Sequence, residues 1–384
     1  MNGKTVYLDN AATTPIDREV VDAMLPYLSD YFGNPSSSHS YGRKTKTAIE
    51  TARRTIATAL HCAPSEICFT SGGTEADNLA LLAAVRDLGC THIITSVIEH
   101  SAVIKTAEKL GAETGVKVSW VRLLENGHID LNHLQALLDE PGKAIVSLMH
   151  ANNEIGNVLP LQKVSEMCLV ANAYFHSDTV QTMGHYAFDL SSLHIDFITC
   201  AAHKLHGPKG VGFLYVNKKL KINALINGGG QERSLRGGTE NIYGIVGMAK
   251  AIELAYTDLE AHHRHVSEVK QYMVERLKQE VPDIKFNGDS ASEDSLYTVL
   301  NVNFPPTENA GMLLFLLDLE GVACSGGSAC SSGAAKGSHV LDGINAITPD
   351  RGASLRFSFS RFTTKEDIDF TIEKITKLCL QHAN

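Results

Sequence analysis

The sequence has no long apolar run, few cysteines and no excess of basic residues. No stretch approaches the ~18 apolar residues of a membrane span, and the N-terminal MNGKTVYLDN lacks the basic and apolar regions of a secretory signal. Eight cysteines among 384 residues are too few for a disulfide scaffold, so we expect a reducing compartment, with the cytoplasm as the default location. The formal charge of −9, without long charged blocks, argues against nucleic acid or an anionic membrane as the main partner. Small molecules or proteins are the expected partners.

The sequence does contain short β-branched runs that alternate with amphipathic stretches. This alternation favours a mainly parallel sheet, with ligands beyond the carboxyl ends of its strands. A long helical tract over 241–281 follows, and beyond Pro282 the pattern predicts a smaller α+β unit that includes a small-residue loop at 325–338. Strands of the larger unit are predicted at 66–70, 92–96, 117–123, 143–149, 174–178, 196–200 and 210–216.

A lysine directly after a buried strand is the strongest single feature. His203 and Lys204 stand in CAAHKLHGPKG, after the strand predicted at 196–200. Such a lysine suits a covalent bond to pyridoxal phosphate, whose ring accepts electrons from the Cα atom of an amino acid. A snorkelling surface lysine beside a turn is the alternative. Asp178 ends the neighbouring predicted strand and could keep the pyridine nitrogen protonated, or else cap a helix; Gln181 follows within reach of the ring substituents.

Three more loops after predicted strands carry polar residues that suit this cofactor. Gly72, Gly73 and Thr74 in TSGGTEADN offer backbone donors for a phosphate at a helix N-terminus, although Thr74 could equally be an N-cap. His100 could lie on the face of the ring, or be a core or capping residue. Asn153 could reach the phenolic oxygen of the ring and a substrate carboxylate, or simply form part of a turn.

The smaller unit contributes two candidate substrate residues. Arg356, in SLRFSFSRF, could bind a carboxylate through two hydrogen bonds or form a structural ion pair. Cys330 lies in SGGSACSSG, where no bulky neighbour shields a nucleophilic thiol. The C-x5-C spacing from Cys324 matches no usual zinc pattern, and the HHRH tract at 262–265 is expected on a solvated helix face, so no metal site is predicted.

Read together, these motifs point to one family. The chain contains, in order, YLDNAATTP, FGNPSSSH, FTSGGTEADN, EH at 99–100, NNEIG, DTVQ, HKLHGPKG, GGGQERSLRGGTEN, SGGSACSSG and LRFSFSRFTT. From residue 6 to about 375 it closely resembles the pyridoxal-dependent cysteine desulfurases of the NifS/IscS branch. The resemblance implies fold type I of the pyridoxal-phosphate-dependent transferases, with a large cofactor domain at 15–260 and a small domain formed by 1–14 and 261–384. It also implies a homodimer with both active sites at the subunit interface.

The resemblance implies a role for each candidate residue. Lys204 is expected to bond the cofactor and take the Cα proton, Asp178 to pair with the ring nitrogen, and His100 to stack on the ring and act as an acid–base group. Gln181 is expected to lie near the ring hydroxyl. The phosphate is expected to be bound by Thr74, by His203 and, across the subunit boundary, by Thr239. Asn153 and Arg356 are expected to bind the substrate carboxylate, and Cys330 is expected to form the persulfide.

The implied reaction converts L-cysteine to L-alanine and passes the sulfur, through the Cys330 persulfide, to an acceptor such as an iron–sulfur cluster scaffold. Two departures from the family are visible. First, Ala201 stands where the family usually has a phosphate-binding serine, and the missing hydroxyl could weaken cofactor binding by about 1–3 kcal/mol. Second, the tail that ends in CLQHAN is shorter than the C-terminal extension with which the housekeeping branch docks a cluster scaffold. A selenocysteine lyase or an aminotransferase of the same fold, and a non-enzymatic sulfur carrier, are the alternatives.

Overall fold

The computed structural model of the protein describes residues 4–306, 310–326, 337–346 and 352–380. Within these residues there are three sheets. Their strands are β1 (Val6–Tyr7), β2 (Ile67–Thr70), β3 (His92–Ser96), β4 (Lys117–Val121), β5 (Ala144–Ser147), β6 (Tyr174–Asp178), β7 (Phe197–Ala201), β8 (Gly212–Val216), β9 (Lys285–Phe286), β10 (Val299–Asn303), β11 (Val322–Ala323) and β12 (Ser354–Ser358).

The largest sheet has seven strands in the order β2-β8-β7-β6-β5-β3-β4. Five of these strands, from β4 to β7 across the sheet, pair in parallel, and β8 runs antiparallel to both β2 and β7. The connection from β7 to β8 at 202–211 is too short for the helical crossover that parallel pairing needs. The prediction of a mainly parallel sheet is confirmed. Because β6 pairs directly with β7, the strand ends that precede Asp178 and Lys204 are neighbours.

Helices connect most of these strands. They are α1 (Arg18–Ser29), α2 (Ser40–Ala59), α3 (Gly73–Arg86), α4 (Ser101–Thr114), α5 (Leu131–Leu138), α6 (Leu161–Val170), α7 (Ile242–Thr257), α8 (Leu259–Glu280), α9 (Leu313–Leu319), α10 (His339–Gly343) and α11 (Lys365–Leu380). The prediction of a single helical tract over 241–281 is wrong in one respect, because this segment is divided into α7 and α8 at Asp258. The backbone of Asp258 is non-helical (φ −122°, ψ 32°), and aspartate favours helix starts over helix interiors.

The C-terminal third contributes to two smaller sheets, and one of them also includes a strand of the N-terminal segment. Strand β1 pairs in parallel with β11, and β10 lies between β9 and β12 in an antiparallel sheet. Isolated bridges extend this contact, one between Asp9 and Ser358 and one between Ser325 and Arg356. The segment that contains Asp9 therefore lies against the strand that carries Arg356.

The apolar residues form separate cores. Strands β3, β7 and β8 are buried along their whole length, as expected for central strands covered on both faces. A different cluster contains Val6 and Leu8 together with residues of α8, β10, β12 and α11. Among the described residues, none of the helices has the length and apolar character that a bilayer span requires.

Candidate active site

A cavity of about 250 Å³ lies beyond the carboxyl ends of the central strands. It brings together most of the residues that the sequence singled out, although they come from both halves of the chain. The predicted residues that line it are Gly73, Thr74, His100, Asn153, Asp178, Gln181, His203, Lys204 and Arg356.

The amine of Lys204 lies against the N-terminal segment. Its Nζ atom donates a hydrogen bond to the carbonyl oxygen of Ala12 at 2.8 Å and another to that of Ala11. The side-chain amide of Gln181 donates to the same Ala11 oxygen at 3.1 Å. Residues 11–12 of the YLDNAATTP motif therefore form a wall of the cavity, a role that the sequence analysis did not assign to them.

The floor of the cavity carries Asp178 at the end of β6. This carboxyl is buried, accepts the backbone N–H of Val180 at 2.8 Å, and lies close to His100. Burial raises the pKa of Asp178 to about 7, and the charge of Asp77 acts in the same direction. Burial lowers the pKa of His100, so its ring is neutral near pH 7. His100 also caps α4, because its Nδ1 atom accepts the N–H of Ala102 at 3.2 Å. This residue is therefore both a helix cap and a lining residue of the cavity.

The start of α3 forms the end of the cavity that suits a phosphate. Gly72, not Thr74, is the N-cap, and it offers no side chain to the first-turn N–H groups. A Cβ atom on Gly73 would lie 2.9 Å from the side chain of Val180, so this close approach requires glycine. His203 is 3.2 Å from the Thr13 hydroxyl (Nδ1 to Oγ1), and burial lowers its pKa to about 4. Backbone donors at a helix N-terminus beside a neutral imidazole fit a phosphate group.

Arg356, in β12, also lines the cavity and is 1% exposed. Its Nη2 atom donates to the carboxylate of Asp9 at 2.8 Å, and its Nη1 atom donates to the backbone carbonyl of Asn153 at 2.9 Å. The Nε atom is buried without a hydrogen-bond partner in the described part of the chain. Arg356 therefore forms the structural ion pair that was the alternative to substrate binding, and its side chain also lines the cavity.

Several residues of the site went unrecognised in the sequence. Asp77 lines the cavity one helical turn after Thr74, a spacing that places both on one face of α3 and could have been noticed. Asp9 stands in the YLDNAATTP motif but carried no signal of its contact with Arg356. His339 also lines the cavity, with its Nε2 atom 2.9 Å from the carbonyl oxygen of Glu99, and no sequence pattern connects residues that far apart.

One predicted site residue of the described part of the chain, Thr239, does not line this cavity. Thr239 is exposed and borders a smaller hollow beside Ser71 and Gly210. Cys330 lies outside the described residues. Lys204, Asp178 and the start of α3 nevertheless offer an amine, a buried acid and an anion cradle, which together fit pyridoxal phosphate.

Comparison with known proteins agrees with this arrangement. Residues 6–370 match the aminotransferase class-V family. The chain is 42% identical over 380 residues to the cysteine desulfurase IscS of Dictyoglomus turgidum, covering 98% of this chain and 94% of that protein. Two solved structures share the fold: a NifS-like protein (36% identity, TM-score 0.89, covering 98% of this chain and 99% of that one) and SspA in complex with cysteine (32%, 0.80, 94% and 100%).

The chain therefore belongs to the class-V aminotransferase family, whose members carry pyridoxal phosphate. Within that family it is an enzyme of the cysteine desulfurase group. The family, the fold class, the cofactor and the kind of enzyme predicted from the sequence are confirmed.

Proposed function

We propose that the chain converts L-cysteine to L-alanine and holds the removed sulfur as a persulfide on Cys330, for delivery to iron–sulfur cluster assembly. The observation that carries this proposal is a single cavity that joins Lys204, the buried Asp178, the start of α3 and the buried Arg356. Similarity to cysteine desulfurases, and to a protein solved with cysteine, supports cysteine as the substrate.

Bound pyridoxal phosphate supplies a ring that accepts the electron pair left at Cα when an amino acid loses its Cα proton. The residues of this chain hold the reactants and move the protons. Lys204, whose amine faces the carbonyls of Ala11 and Ala12, accepts the Cα proton. Asp178 opposes a positive charge on the pyridine nitrogen, and neutral His100 is available to exchange protons with the substrate.

The substrate carboxylate is assigned to Arg356 and Asn153. The guanidinium is fixed by Asp9 and by the carbonyl of Asn153, so its direction is set before the substrate arrives. A buried arginine that is held in this way binds a carboxylate with little loss of side-chain freedom.

Cys330 is assigned to the sulfur because described residues on both sides of its segment contact residues that line the cavity. On one side, Ser325 exchanges backbone hydrogen bonds with Arg356 at 3.1 and 2.7 Å. On the other side, the hydroxyl of Ser338 donates to the carboxylate of Glu154, which lines the cavity. In the sequence Cys330 lies between these two flanks, and this position supports its assignment.

The other cysteines support this choice of thiol. Burial raises the pKa of Cys62, Cys68, Cys90, Cys168 and Cys324 to about 12, so these thiols hold little thiolate at neutral pH.

In the proposed sulfur step the Cys330 thiolate attacks the substrate sulfur. An S–S bond forms while the C–S bond of the substrate breaks, and the electron pair of that bond stays with the substrate carbon. That carbon takes a proton and becomes the methyl group of alanine.

The remaining assignments are also proposals. We infer a homodimer in which Thr239 reaches the neighbouring subunit's phosphate; its exposed position outside its own cavity, and the exposed pair Phe32 and Tyr41, support this. We infer the domain division into 15–260 and 1–14 with 261–384 from the separate cores. A sulfur-accepting protein such as a cluster scaffold, and a cytoplasmic location, complete the proposal.

The test compares Cys330→Ala with Cys324→Ala, a matched variant of a packed thiol. Cys330→Ala should bind L-cysteine and release neither alanine nor sulfide, while Cys324→Ala should remain active. Robust alanine release by Cys330→Ala, or loss confined to Cys324→Ala, would mean that the wrong thiol is assigned. A keto-acid requirement would favour an aminotransferase, and a protein without the visible band of bound cofactor would favour a sulfur carrier.

A further inference from the structure

A second buried carboxyl lies next to Asp178 and takes no part in the reaction as described. Asp77, on α3, is 1% exposed and lines the cavity. Its carboxylate, the Asp178 carboxylate and a ring nitrogen of His100 all lie within 4.8 Å of one another. The ion pairs of the described residues include none between either carboxyl and a lysine or arginine. Two carboxyls in such a place cannot both be ionised without a large cost in free energy.

The other contacts of Asp77 are neutral. One of its oxygens is 3.4 Å from Nε2 of His176, without hydrogen-bond geometry, and the hydroxyl of Thr199 bonds the carboxyl. The His176 ring lies between the hydroxyls of Ser147 (2.8 Å from Nδ1) and Thr199 (3.1 Å from Nε2). Burial lowers the pKa of His176 to about 4, so that ring does not supply a positive charge.

The two carboxyls are therefore in different situations once the cofactor is bound. In the proposed site Asp178 would pair with the pyridine nitrogen, and a positive charge on that nitrogen would stabilise an ionised carboxylate. Besides Asp178 and His100, the neighbours of Asp77 described above are a hydroxyl and a neutral imidazole, and burial raises the pKa of Asp77 to about 7. The titratable groups that face the pair are His176, on β6, Glu99 and His100 at the start of α4, and Cys200 and Lys204 from the end of β7.

We propose that Asp77 is a positioning residue that stays protonated in the holoenzyme at neutral pH and so leaves Asp178 as the single ionised carboxyl of this pair. Of these two neighbouring carboxyls, one would then be negative and available to a positive pyridine nitrogen. The proton of Asp77 prevents a second negative charge from competing for that nitrogen. In this account the shape and hydrogen bonds of Asp77 matter, and its charge does not.

The first test compares Asp77→Asn with Asp178→Asn, because an amide resembles a protonated carboxyl and cannot ionise. Cofactor retention in equilibrium dialysis at pH 7 should stay within about threefold of wild type for Asp77→Asn and weaken at least about tenfold for Asp178→Asn. Equal weakening by the two substitutions would show that Asp77 works as an ionised group, and would overturn the proposal.

The second readout is the pH dependence of thermal unfolding of the holoenzyme. A carboxyl whose pKa is higher in the folded than in the unfolded protein loses stability as pH rises from about 4 to about 7. The melting temperature of Asp77→Asn minus that of wild type should therefore increase with pH across this window and then level off. Asp294→Asn, at an exposed carboxyl, is the matched control and should show no such trend. A difference that decreases with pH would mean that ionised Asp77 stabilises the fold, contrary to the proposal.

A measurement on the wild-type holoenzyme keeps the proposal testable if the variant does not fold. Infrared spectra with isotope-labelled aspartate should show a protonated carboxyl band at pH 7 that shifts in heavy water. Absence of a protonated aspartate at that pH would contradict the proposal.

Discussion

The two sides of the cavity are built in different ways. The cofactor side, comprising Gly73, His100, Asp178 and Lys204, consists of residues that follow strands of one sheet. The substrate side rests on Arg356 and on Asp9, which are 347 positions apart in the sequence. The first is a product of parallel-sheet topology, in which strand ends meet at one edge. The second exists only because the N-terminal segment returns to pack beside β12.

The electrostatics of the two sides differ as well. On the cofactor side, buried carboxyls and histidines have pKa values moved toward their neutral forms, because burial is the dominant influence. On the substrate side, a fully buried cation is already paired with a carboxylate. The buried acid Asp178 of the cofactor side is thus able to ionise beside a cation, while the substrate side holds a fixed cation for an incoming anion.

The largest effect is expected on the cofactor side, for Lys204→Ala. This change removes the amine that faces Ala11 and Ala12, so the cofactor should bind without a covalent bond and turnover should fall at least about 10³-fold. Borohydride reduction followed by peptide mapping of the wild-type protein checks the assignment. Labelling of Lys209, which is exposed beyond the cavity wall, in place of Lys204 would show it to be incorrect.

A smaller effect is expected on the substrate side, for Arg356→Lys. A lysine cannot keep hydrogen bonds to Asp9 and to the Asn153 carbonyl while also binding a carboxylate. The KM for L-cysteine should rise about 10- to 100-fold, with kcat changed less, which steady-state kinetics would show.

The matched control is Arg361→Lys. Arg361 is also paired, with Asp17, and it does not line the cavity. Its substitution should leave KM unchanged. If Arg356→Lys keeps the wild-type KM, or if both variants raise it equally, the substrate side has been misassigned.

The smallest effect is expected for Ala201→Ser, at the phosphate end of the cofactor side. The methyl group of Ala201 is buried and lines the cavity, so a hydroxyl there could add one hydrogen bond to the phosphate. One such bond is worth about 0.5–1.5 kcal/mol, which predicts a cofactor dissociation constant lowered by about 2- to 10-fold. Titration of the cofactor-free variant measures it, and unchanged or weaker binding would indicate that another donor already serves the phosphate.

This difference between the two sides explains how much the sequence could predict. Lys204, Asp178, His100 and Asn153 were found because each follows a recognisable strand, and the sheet brings the ends of its strands together. Asp77 was missed, although its helical spacing from Thr74 places it on the same face of α3.

The contacts of the substrate side had no comparable signal. Asp9 is joined to Arg356, and His339 to the backbone of Glu99, by tertiary packing alone, which no local pattern encodes. The division of the 241–281 tract at Asp258 was missed for a related reason, since helical periodicity continues across the break. The periodicity of apolar residues thus predicts helices and strands well, but it does not predict the contacts between elements that are far apart in the sequence.

The most direct test of the account is the fate of the sulfur. Purified protein that has been incubated with L-cysteine should be digested without reductant and analysed by mass spectrometry, with alanine measured in the same sample. The account predicts one additional sulfur atom on the peptide that contains Cys330, together with alanine. Alanine formation with the additional sulfur on another cysteine, or with no sulfur bound to the protein, would contradict it.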